Sequence, residues 1–225
     1  MRSASLVCAL IAVSGLVLEA HGVSGKDAVY LQGLSGAAIG PLMYLGAKHM
    51  VTGYDHLLFL AGVIFFLYRL KDVAIYVTLF AIGHSTTLLL GVLAGWHVNA
   101  YLVDAVIGLS VVYKAFENLG GFRRLGFEPN TQGAVLFFGF FHGLGLATKL
   151  QDLALSQNGL VTNMVSFNVG VEIGQLLALS LILIAFNVWR SSGMFFRHAF
   201  ASNVVLMTAG FVLTGYQLTG YLLAR

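Results

Sequence analysis

Charged residues are scarce in this chain. Only 9% of its 225 positions are Asp, Glu, Lys or Arg, whereas a soluble globular domain carries about 25%. Hydrophobic residues make up 58% of the sequence, and the mean hydropathy is +0.87. These values exclude an ordinary soluble domain and are typical of a polytopic membrane protein. The net charge of +3 does not indicate a nucleic-acid partner, because the few Lys and Arg residues lie at the ends of apolar runs.

Cysteine is nearly absent as well. Cys8 is the single cysteine, which excludes an intramolecular disulfide and a thiolate metal cage. Any metal site must therefore use imidazole and carboxylate ligands. The sequence also lacks the Gly-x-x-x-x-Gly-Lys-Ser/Thr motif of ATP-binding loops. A transport activity would therefore draw its energy from a gradient or from a partner protein.

The pattern of the first 20 residues predicts an export signal, which is either a cleaved signal peptide or an uncleaved anchor. Arg2 precedes an apolar run over residues 6–18, and Ala20 stands where cleavage can occur. Residues 21–225 are expected to form a single transmembrane helical domain. The Gly40-Pro41 stretch is expected at the outer membrane interface. Six apolar runs near the ~20 residues of a membrane span follow at 49–69, 73–95, 101–119, 132–149, 162–189 and 200–223.

The predicted fold is therefore an all-α membrane bundle of about six helices. Its orientation follows from the basic residues, because six of the 12 Lys and Arg residues lie in alternate loops. The positive-inside rule assigns such loops to the cytoplasm, which predicts a bacterial inner-membrane protein with its mature N-terminus outside. The residues concerned are Arg69, Lys71, Arg123, Arg124, Arg190 and Arg197.

Four ionisable residues lie inside the apolar runs, namely His56, His84, His142 and Glu172. Each such group costs roughly 2.5–3.5 kcal/mol in a bilayer interior, so their presence indicates a function. With 1.5 Å of rise per residue, all four lie about 10–17 Å below the outer helix ends. Histidine and glutamate bind transition metals or relay protons. The sequence therefore predicts one intramembrane site to which several helices contribute.

Other polar residues are expected to extend this site or the path to it. Asn168, Glu172 and Gln175 have i, i+4, i+7 spacing and should share an inward helix face. His49 and His56 are two turns apart, about 10.5 Å along a regular helix. We therefore expect His49 at a separate outer capture site. Further residues expected around the site or its path are His21, Asp55, Ser85, Asn168 and Gln175.

Four ordered motifs resemble those of the HupE/UreJ family: residues 46–59 (GAKHMVTGYDHLLF), 83–85 (GHS), 141–144 (FHGL) and 167–175 (FNVGVEIGQ). The resemblance runs from about residue 21 to the C-terminus. It implies a membrane protein associated with hydrogenase and urease operons and described as a nickel or cobalt permease. It carries a metal-site role to His49, Asp55, His56, His84, His142 and Glu172.

The leading hypothesis is a permease for a divalent transition metal, with nickel first and cobalt, copper or zinc as alternatives, because imidazole suits all four. The second hypothesis is an intramembrane zinc hydrolase, in which three histidines hold the metal and Glu172 or Asp55 activates water. The third is a membrane subunit that delivers metal to metalloenzyme maturation partners. Transport is favoured over enzymatic activity, and the bilayer and the metal ion are the expected partners.

Overall fold

The computed structural model describes residues 25–153 and 156–224, and within these ranges the regular structure is entirely helical. The predicted signal segment over residues 1–20 and His21 lie outside the described residues. The helices are α1 Gly25–Gln32, α2 Ile39–Thr52, α3 Tyr54–Ile64, α4 Leu70–Ala94, α5 Ala100–Asn118, α6 Gly121–Arg124, α7 Thr131–Gln151, α8 Leu160–Ser191 and α9 Phe195–Leu223.

Four of these helices, α4, α7, α8 and α9, are long and apolar enough to cross a membrane. They confirm the helices predicted at 73–95, 132–149, 162–189 and 200–223. The helix predicted at 101–119 is also present, as α5. It carries three charged residues, Asp104, Lys114 and Glu117, and it packs along α9. The protein is therefore an all-α membrane bundle, as the composition predicts.

The first predicted span is wrong as a single helix over 49–69. The chain instead forms α2, which begins at Ile39, and α3, which ends at Ile64. Gly53 separates them with an extended backbone at φ −73° and ψ 101°. Pro41 lies in the first turn of α2, where a proline costs no helical hydrogen bond. The Gly/Pro stretch expected at the membrane interface therefore belongs to a helix.

Glycines allow three helix pairs to pack closely: α4 with α7, α2 with α8, and α5 with α9. A Cβ atom on Gly83 would lie 2.6 Å from the carbonyl oxygen of Leu136, and one on Gly174 would lie 2.5 Å from that of Ala47. Gly210 is equally crowded against α5. Small residues of this kind let membrane helices approach backbone to backbone. The close approach brings polar side chains from different helices within reach of each other.

The two ends of the bundle differ in charge. Arg190 Nη2 donates to the carbonyl oxygens of Ile64 at 3.1 Å and Phe65 at 2.6 Å, so α3 and α8 end on the same side. At the opposite end, Gln151 Nε2 donates to the carbonyl oxygen of Trp96 at 3.1 Å. We call the first side the basic end, defined by Arg69, Lys71, Arg123, Arg124 and Arg190. The cytoplasmic location of this end stays a prediction.

Candidate metal centre

Five predicted ligands converge in the interior of the bundle. His49 lies in the last turn of α2, Asp55 and His56 lie in the first turn of α3, and His84 and His142 lie within α4 and α7. The ring centroid of His56 is 5.2 Å from that of His49, 5.4 Å from that of His84 and 4.7 Å from that of His142. His56 is therefore the centre of the cluster.

The donor atoms form two overlapping groups, and within each group they all lie within 4.8 Å of one another. The first group is His49, His56 and His84, and the second is Asp55, His56 and His142. The rings of His56, His84 and His142 are 0% exposed and Asp55 is 2% exposed, whereas His49 is partly exposed. Either group could hold one transition-metal ion, since imidazole and carboxylate are suitable ligands for such ions.

The break at Gly53 brings His49 and His56 together. The prediction that a regular helix would hold them about 10.5 Å apart is wrong, because the extended residue redirects the chain between the two rings. A Cβ on Gly53 would lie 2.9 Å from His56 Nδ1 and 3.3 Å from Asp55 Oδ1. The absence of a side chain at this position therefore leaves room for the two ligands that follow it.

Asp55 orients the central histidine. Its Oδ1 lies 3.0 Å from His56 Nδ1, so this carboxylate accepts a ring N–H. With the proton assigned to Nδ1 by this contact, Nε2 keeps a lone pair for an ion. A carboxylate behind a ligating histidine is a frequent arrangement in metal sites, where it also raises the basicity of the ring.

Ser110 on α5 orients His142 and was not predicted. Its hydroxyl donates to the carbonyl oxygen of Ile107 at 2.6 Å, and its Oγ lies 3.2 Å from His142 Nε2. Because the hydroxyl hydrogen is already used, the serine oxygen accepts the Nε2–H, and Nδ1 keeps the lone pair. His142 Nδ1 is buried and has no hydrogen-bond partner within the described part of the chain. The sequence signal that could have identified Ser110 is its position as a polar residue inside the apolar run of α5.

The position of His84 is set by the contact between α4 and α7. A Cβ on Gly143 would collide with the carbonyl oxygen of His84 and with Thr87. Thr87 Oγ1 donates to the carbonyl oxygen of Phe140 on α7 at 2.7 Å. Both ring nitrogens of His84 are buried without a hydrogen-bond partner among the described residues. The neighbouring Ser85, which was expected around the site, also has a buried Oγ without a hydrogen-bond partner among the described residues.

Aromatic rings line the remaining walls of the cluster. The ring centroid of Phe80 lies 5.1 Å from that of His142 and 6.0 Å from that of His56. Phe59 lies 5.4 Å from His142 on the same measure. Because both phenylalanines are almost fully buried, the donor atoms face an apolar wall. Electrostatic interactions with an ion are stronger in such surroundings than in water.

Glu172 does not join the cluster. Asn168 and Gln175 are buried as predicted, with 8% and 1% exposure, but the prediction that Glu172 points inward with them is wrong, because its side chain is exposed. Three residues correspond to a rotation of 300° around the helix axis, so the side chains of Glu172 and Gln175 are about 60° apart around that axis. Gln175 Nε2 instead donates to the carbonyl oxygen of Val77 at 3.2 Å and links α8 to α4. A ligand role for Glu172 stays a prediction.

One protein-family model matches most of the chain. The model of the family described as HupE / UreJ protein matches residues 25–225. The chain belongs to the HupE/UreJ family. No curated protein and no solved structure matches it. The HupE/UreJ match includes every described helix and all five residues of the cluster, so the metal-ligand candidates belong to the family domain itself.

Proposed function

We propose that this HupE/UreJ protein is a permease for a divalent transition-metal ion, with nickel as its main cargo. One observation carries the proposal. Four histidines and one aspartate from four helices bring their donor atoms together in the interior of a membrane bundle. Residues of this kind are expensive inside a membrane and are usually found on substrate or ion pathways. Membership of a family associated with metal handling supports the same function.

The two donor groups suggest how an ion crosses the buried layer. His56 belongs to both groups, so an ion can pass from His49 and His84 to Asp55 and His142 without losing every protein ligand at once. Asp55 supplies one negative charge to offset the charge of the ion. Retaining one ligand at each step lowers the cost of moving an ion through a site from which water is excluded.

The ligand types favour one class of cargo. Mg²⁺ and Ca²⁺ prefer oxygen ligands, whereas imidazole suits nickel, cobalt, copper and zinc. A site with four imidazoles and one carboxylate therefore selects the second class. Nickel is placed first because the HupE/UreJ resemblance implies nickel or cobalt.

Uptake of radioactive nickel by intact cells tests the proposal. We expect His84→Ala to reduce uptake at least about tenfold, since it removes a buried ligand of the first group. His97→Ala is the matched control, because His97 is exposed in the loop between α4 and α5, and it should leave uptake unchanged. Uptake by His84→Ala at the wild-type rate, with equal amounts of protein in the membrane, would contradict the proposal.

The group of three histidines, His49, His56 and His84, whose donor atoms all lie within 4.8 Å of one another, also favours a second candidate function. Three histidines with one open position can hold a catalytic zinc ion, as in metal-dependent hydrolases. The two functions differ in metal exchange, because a permease must release its ion whereas an enzyme retains it. The purified zinc-bound protein can be incubated for a long time with a zinc isotope. If it retains its original zinc, the hydrolase is favoured.

A further inference from the structure

A second group of buried charges lies on the helices that hold His142. Lys149 Nζ of α7 donates to Asp104 Oδ2 of α5 at 2.7 Å. The aspartate side chain is only 6% exposed, and that of Lys149 is 20% exposed. Asp104 lies near the start of α5 and Lys149 near the end of α7. The pair is therefore at the end of the bundle opposite the basic end, between the surface and the histidines.

Helix spacing relates this pair to the candidate metal centre. Lys149 follows His142 by seven residues, which is two turns of the same helix face and about 10.5 Å along the axis. Asp104 precedes Ser110, the residue bonded to His142, by six residues. The ion pair and the metal centre are thus two layers of one contact between α5 and α7.

One oxygen of the buried carboxylate remains available. Asp104 Oδ1 has no hydrogen-bond partner within residues 25–153 and 156–224. A Cβ on Gly145 would lie 3.2 Å from this oxygen. Gly145 is one turn from His142 on the side of Lys149, so the oxygen faces α7 between the lysine and the histidine. An oxygen in this position can accept a cation that approaches the histidines.

The charges of the two layers act on each other. Lys149 is two turns, about 10.5 Å, from His142 on the same helix, a separation at which charges inside a low-dielectric bundle still interact. The ammonium group of Lys149 opposes a second positive charge in its surroundings, whereas the carboxylate attracts one. A divalent ion carries twice the charge of the ammonium group and competes with it for the carboxylate.

We propose that Asp104 and Lys149 form a charge gate at the outer mouth of the metal centre. Asp104 is a buried carboxylate between the bundle surface and the histidines, and Lys149 is a tethered cation that occupies it until an incoming divalent ion displaces the lysine. This inference rests on the proposed metal permease. It gives the lysine a role in discrimination, because a monovalent ion has no charge advantage over the ammonium group.

Titration of the purified full-length protein with nickel tests the gate. Lys149→Gln removes the competing cation and should tighten nickel binding about fivefold, whereas Asp104→Asn leaves the lysine charge unopposed and should weaken it about tenfold. The two single substitutions therefore shift affinity in opposite directions. The nickel affinity of the double variant should lie between those of the two single variants, since neither the attracting nor the competing charge remains.

A comparable ion pair at the other end of α5 provides the control. Lys114 Nζ lies 2.8 Å from Glu117 Oε2, and Lys114→Gln should leave nickel affinity unchanged. If Lys149→Gln and Asp104→Asn both bind nickel as the wild type does, or both shift in the same direction, the gate is overturned and the pair is structural. In that case the permease proposal still stands if the wild type binds nickel and His84→Ala does not. A wild type that binds no nickel would overturn both proposals.

Discussion

At the scale of single residues, the metal centre depends on which nitrogen each histidine ring presents. Asp55 and Ser110 determine this for His56 and His142 by accepting a ring N–H. The histidines themselves could be predicted from the sequence because an ionisable residue in an apolar run is conspicuous. The role of Ser110 could not, since a serine in a helix usually bonds its own backbone and its contact with α7 depends on tertiary packing.

Ser110→Ala should weaken nickel binding by about tenfold or more, because the Nε2–H of His142 loses its acceptor and the ring is no longer held with Nδ1 towards the ion. Isothermal titration calorimetry on the purified protein measures this change. Ser166→Ala is the matched control, since Ser166 is also buried and donates to a backbone carbonyl, that of Thr162, at 2.7 Å. Equal nickel affinities in the two variants would remove the positioning role from Ser110.

At the scale of helices, the decisive feature is the interruption between α2 and α3. Long apolar runs predicted α4, α7, α8 and α9 correctly, because the length of a span and its hydropathy are properties of the sequence. The interruption was missed because glycine is common in membrane helices, so Gly53 alone does not mark a break. The face of α8 was predicted only in part, since Glu172 lies at the edge between its buried and exposed sides.

Gly53→Ala should reduce nickel affinity at least about tenfold while the protein still inserts into the membrane. The backbone of Gly53 at φ −73° is accessible to alanine, so the effect comes from the added methyl group, which would displace the His56 ring 2.9 Å away. Gly215→Ala on α9 is the control, because a Cβ there has open space within 4 Å. Nickel titration of both variants makes the comparison, and normal binding by Gly53→Ala would show that the interruption does not shape the site.

At the scale of the whole molecule, three closely packed helix pairs surround a buried layer of imidazoles. The overall class could be predicted from composition, since a chain with 9% charged residues has few alternatives to a membrane bundle. The pairing of helices could not be predicted, because Gly83, Gly139 and Gly143 indicate close packing but not which helix is the partner. The convergence of His49 with the other histidines follows from that pairing together with the interruption at Gly53.

X-ray absorption spectroscopy of the nickel-loaded, purified protein tests the central claim most directly. Our account predicts bound nickel whose nearest shell contains several imidazole nitrogens. The signal should disappear in a variant with alanine at His49, His56, His84 and His142. A variant with alanine at His97, in the loop after α4, and at His198, in the first turn of α9, should keep it. A wild type that retains no more nickel, cobalt, copper or zinc than the fourfold alanine variant would contradict the claim that this buried cluster holds a transition-metal ion.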